Sequence, residues 1–171
     1  LFAINALFSM GWELQTIFIP IYGDSIGLSA SAIGGVISAF AAATFVVRFA
    51  MPLIIRHASE HQVLAGALVI AGAAYCTLPF ARSAAALTAA SFGIGFGLGG
   101  GQPMVMSLLH SRAPAGRMGE AAGIRMSLMQ SMAVAVPLIF GAFGATFGLA
   151  PVMWSVGACL TAGGFLARRG V

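Results

Sequence analysis

The chain has 171 residues, of which 60% are hydrophobic and 7% charged, and its mean hydropathy is +1.00. Soluble domains carry about 25% charge, so this composition excludes an ordinary water-soluble fold, and its hydrophobicity excludes disorder. The net charge of +4, from eight Arg and no Lys against four acids, is too small an excess to point to nucleic acid.

At about 20 apolar residues per span the chain has room for about six, and its unbroken apolar runs exclude the ~10-residue alternation of a transmembrane barrel. The expected fold is an all-α integral membrane protein, a single six-helix bundle over residues 1–171. Span one covers 1–22 and ends at Gly23-Asp24-Ser25. Span two, 29–55, stops at Arg56-His57, and span three, 62–80, closes at Ala81-Arg82-Ser83. Span four takes 84–109, and a polar stretch from His110 to Glu120 separates it from span five at 121–147. Span six, 151–167, opens on Pro151, whose missing N–H costs little in a first turn, and gives way to Arg168-Arg169. The chain is apolar from Leu1 onward, which reads as a piece of a longer chain and not as a signal peptide.

Alternating spans put Arg56, Arg112, Arg117, Arg168 and Arg169 on one side and Arg82 alone on the other. This asymmetry orients the first group, and both termini, towards the cytoplasm. Small residues suggest how the helices meet: Gly93, Gly97 and Gly101 recur every four residues in span four, as do Gly144 and Gly148 near the end of span five. Gly95, Gly97 and Gly100 have the spacing of a dinucleotide-binding turn, but inside an apolar helix, with no preceding strand, that reading fails.

Charges at depth are costly and therefore mark function. Glu13 lies eleven residues before Asp24, or ~16 Å from that face at ~1.5 Å per residue. Arg48 lies eight residues before Arg56, and Gln102 eight before His110, each ~12 Å from the opposite face. Gln130, ten residues beyond Glu120, sits at ~15 Å, so the four gather near the midplane of a ~30 Å core. Hydrocarbon penalises a charged carboxylate, so Glu13 is suited to taking up a proton. It and Arg48 are the candidates for proton or substrate handling, although a static Glu13–Arg48 pair fixing helix register explains the same residues. Gln15, Gln102 and Gln130 are candidate cavity-lining groups. Arg56, with Arg48 and Pro52 in the same span, and the shallower Arg125 are candidate gating groups. Spans three and six hold no deep charge or amide, which suggests an outer position against lipid. His57, His61 and His110 lie at one edge, and Cys76 and Cys159 are isolated, so no metal site, cofactor or catalytic set is expected and the chain does not read as an enzyme.

One continuous pattern ties these features together. Gly99-Gly100-Gly101-Gln102-Pro103-Met104 leads through Ala113-Pro114-Ala115-Gly116-Arg117 and Gly119-Glu120 to Gly123-Ile124-Arg125, Gln130 and Pro137, and Gly148-Leu149-Ala150-Pro151 opens the last span. This resembles the carboxy-terminal six-helix half of the major facilitator superfamily. Of that superfamily's loop signature after the second helix of a half, the stretch Met51–Ser59 keeps only Arg56. The resemblance implies two three-helix repeats and alternating access by two six-helix halves, the second wall coming from an amino-terminal half or a second copy. Together with Glu13 as a proton-handling group, it leads to the first reading: the second half of a secondary active, proton-coupled transporter of a small solute in a bacterial inner membrane. The competing reading is a non-transporting membrane scaffold with the same bundle.

Overall fold

The computed structural model describes residues 2–112 and 116–168. Leu1, Ala113, Pro114, Ala115 and Arg169, used above for the spans, the resemblance and the charge asymmetry, lie outside the described residues. Six helices follow in order: α1 (Phe2–Ser25), α2 (Ala30–Ile55), α3 (Glu60–Thr77), α4 (Ala84–Arg112), α5 (Met118–Phe147) and α6 (Leu149–Arg168), with a 3-10 turn at Leu78–Phe80 prolonging α3. All six are long and apolar enough to cross a membrane, and no strand occurs among the described residues.

The helices outrun the apolar stretches that define them. Asp24-Ser25, Glu60-His61, His110–Arg112 and Met118–Glu120 all continue a helix, because a polar side chain at the water interface costs a helix nothing. Capping sets the starts. Ser29 accepts from Ala32 N at 3.3 Å, and Ser59 and Gln62 form a reciprocal capping box ahead of α3. A single non-helical residue, Gly148 at φ 89°, separates α5 from α6. A side chain there would be strained, so this glycine serves the turn rather than a helix interface.

The packing follows an internal two-fold exchange of α1–α3 with α4–α6. The pair α2–α4 is matched by α5–α1, and α3–α4 by α6–α1, while α3–α6 and α1–α4 map onto themselves. This is the arrangement of two three-helix repeats.

Glycine decides how closely these helices approach. Helix α4 uses different glycines for different neighbours. A Cβ on Gly97 would meet the α3 backbone at Ala67 O (2.6 Å) and Ala71 N (2.7 Å), and one on Gly99 would meet Thr44 Cα of α2 at 2.7 Å. Gly101 receives the ring of Phe8 from α1. The every-four spacing therefore contributes to more than one interface. The pair α3–α6 depends on Gly72, Gly157 and Gly164: a Cβ on Gly72 would lie 2.7 Å from Gly157 O, and one on Gly164 2.9 Å from Ala65 O. A Cβ on Gly144, by contrast, would meet no neighbouring side chain closer than 3.5 Å, so the Gly144–Gly148 spacing does not make a tight face.

Tyr75 of α3 donates from its buried hydroxyl to Gly11 O of α1 at 2.6 Å. Tyr75→Phe removes only this bond, so thermal unfolding in detergent should show a loss of ~0.5–1.5 kcal/mol with no change of fold.

Burial within the chain is uneven among the six helices. Helices α3 and α6 are well packed on each other, whereas α5 is the most exposed helix and Val136 is its one buried residue among those described. Its large side chains Ile124, Val134, Leu138 and Ile139 are more than half exposed.

Candidate functional site

Helix α1 carries a polar stripe. Asn5, Ser9 and Glu13 are spaced by four and share one face of the helix. Ser9 and Glu13 border a cavity of about 340 Å³ together with Trp12, Arg48 of α2, Gln102 of α4 and Gln130 of α5. All of these come from α1, α2, α4 and α5, and α3 and α6 contribute none. The depth arithmetic thus brings Glu13, Arg48, Gln102 and Gln130 to one space. Trp12 forms one wall, with its indole edge-on to Phe40 at 5.0 Å.

A wider cleft of about 820 Å³ adjoins it, sharing Arg48 and Gln102 and adding Pro52, Pro103, Met106 and Arg125. Both arginines are held by neutral groups. The Nε of Arg48 donates to Gly99 O at 3.3 Å, a carbonyl within reach because Gly99 has no side chain to keep α2 away. Arg125 donates from Nε to Asn5 Oδ1 at 3.1 Å and from Nη2 to Gln102 Oε1, linking α5 to α1 and α4. The one ion pair among the described residues is Arg117–Glu120, at 2.5 Å on the surface. Glu13 and Arg48 therefore share a cavity without an ion pair, and Arg125 meets no carboxylate.

The other candidates fall elsewhere. Gln15 is 2% exposed, lines neither space, and both its amide atoms lack partners. Arg56 is the exposed C-cap of α2. Arg112 Nη2 and His61 Nε2 lie 2.8 Å apart, joining the end of α4 to the start of α3. Asn5 and Ser9 are neutral and carry no charge signal in the sequence. Their four-residue spacing from Glu13 is the signal that identifies them. Asn5 Nδ2 and Ser9 Oγ are buried without a partner. No cluster of His, Cys, Asp and Glu able to hold a metal occurs among the described residues.

Six apolar helices, with polar side chains from four of them lining one cavity, define a multi-pass membrane protein. The sequence model of the Major Facilitator Superfamily matches residues 1–169, and the chain belongs to this family of membrane transporters. No curated protein matches the chain.

Proposed function

We propose that the chain forms the carboxy-terminal half of a secondary active transporter that moves a small solute with protons by alternating access. The observation that supports this most directly is the cavity walled by Glu13, Arg48, Gln102 and Gln130 from four helices. Glu13 is the proton carrier, Arg48 its charge partner in the cycle, and Gln102 and Gln130 the groups that line the path. Arg125 gates by tying α5 to α1 and α4, and Arg56 acts at the cytoplasmic end of α2. The exposed apolar faces of α2 and α5, among them Phe45, Phe49, Val134 and Leu138, support a facing wall made by an amino-terminal half or a second copy. The arginine asymmetry supports an orientation with both termini in the cytoplasm, and the resemblance to bacterial transporters of the superfamily supports an inner membrane.

Proteoliposomes loaded with the pH dye pyranine test the proposal. Under an inward proton gradient, one member of a panel of small anions, cations and neutral solutes should accelerate acidification above the leak of protein-free vesicles. If no solute does so and none accumulates, the scaffold reading replaces this one.

A further inference from the structure

The spaces inside the bundle are unbalanced in charge and in hydrogen-bonding character. Arg48 and Arg125 both border the cleft, Glu13 is the one acid bordering the adjoining cavity, and no carboxylate lies within 4 Å of either guanidinium among the described residues. A guanidinium has five donors and no acceptor. It therefore fixes the amide it touches in the cleft: Gln102 turns its oxygen to Arg125 and is left with an NH2 group to offer. Arg48 commits Nε to Gly99 O, and its Nη groups have no hydrogen-bond partner among the described residues. The result is a donor-rich, cationic site at membrane depth, where unsatisfied donors and unpaired charge are costly.

We infer that the solute is a small organic anion whose carboxylate or phosphate group binds between Arg48 and Arg125, with the Gln102 amide donating to it. This inference rests on the transporter reading and gives it a substrate class. An anion supplies the acceptors that the protein lacks there, and a guanidinium matches a carboxylate or phosphate with two parallel donors.

Trp12 at the cavity wall provides the readout. A Trp154→Phe background removes the other indole, which is 46% exposed on α6. The protein in phosphatidylcholine nanodiscs, free of anionic lipid, is titrated with benzoate, succinate and inorganic phosphate, and in parallel with choline and glucose. At least one anion should change Trp12 emission saturably, and the difference between the carboxylates and phosphate identifies the headgroup. Arg48→Gln should weaken that binding at least ~10-fold, or ~1.4 kcal/mol, and Arg48→Lys by less. Arg125→Gln should weaken it too. Because this change also removes the links to Asn5 and Gln102, Arg125→Lys accompanies it, and a partial recovery of affinity supports charge as the cause. Saturable binding of choline or glucose with none of any anion overturns the inference, as does anion binding that Arg48→Gln leaves unchanged. Failure here is distinct from failure of the transporter reading. Uptake of a cation or neutral solute sinks the anion site alone, whereas anion binding without any uptake sinks transport and leaves the anion site standing.

Discussion

Glu13→Gln should reduce solute-driven proton entry into proteoliposomes to the leak of protein-free vesicles, a loss of at least ~10-fold, while the protein still folds. The side chain is half-buried on the cavity wall, and it makes no ion pair among the described residues. Glutamine keeps its size and polarity but cannot exchange a proton. No observed contact is lost, so thermal stability should change by no more than ~0.5 kcal/mol. Glu13→Asp, which keeps the titratable group on a shorter arm, should retain part of the flux. A static register lock between Glu13 and Arg48 makes the opposite forecast: a clear fall in stability on Glu13→Gln with transport otherwise intact. Undiminished proton entry in Glu13→Gln would remove Glu13 from the mechanism.

The second large effect concerns packing. Gly97→Ala should destabilise the bundle by ~1–3 kcal/mol, and Gly97→Val by more, as read by thermal unfolding in detergent. The reason lies in what the new methyl meets. At Gly97 it meets the main chain of α3 at Ala67 and Ala71, which cannot rotate away as a side chain can, so α3 and α4 must separate. Gly35 of α2 is the control, since a Cβ there meets nothing within 4 Å. Gly35→Ala should be neutral or stabilising by up to ~1 kcal/mol through helix propensity. Equal effects at the two sites would show that close backbone approach does not limit this interface.

Helix rise is constant, and this explains what the sequence revealed about the site. Counting residues from the nearest loop placed Glu13, Arg48, Gln102 and Gln130 at similar depth, and they do share one cavity. Depth says nothing about direction around the helix. Gln15 lies two residues from Glu13, ~200° further round the helix, and it is buried away from both spaces. Asn5 gives no depth signal because it is neutral and near an end, although it stands two turns from Glu13 on the same face. Arg125 was legible as a polar residue near an interface, but its partners on α1 and α4 depend on how three helices converge. Glycine spacing shows the same limit. It identified α4 as a helix that others approach closely, but it could not say which ones, nor reveal that Gly72 and Gly157 face each other across α3 and α6. The order and number of helices, by contrast, follow from apolar run length alone.

The single-residue joint at Gly148 has a mechanical corollary. One peptide unit gives α5 almost no freedom to slide along α6, so its remaining large-scale motion is a tilt about that end. Arg125 is 23 residues away (148 − 125), a lever of ~35 Å, so a tilt of ~5° would carry it ~3 Å sideways. That displacement equals the length of its hydrogen bond to Asn5 Oδ1, 3.1 Å. A small angular change at one surface would thus be read out near the other as the making or breaking of the Arg125 clasp, with little disturbance of the glycine-packed helices between them.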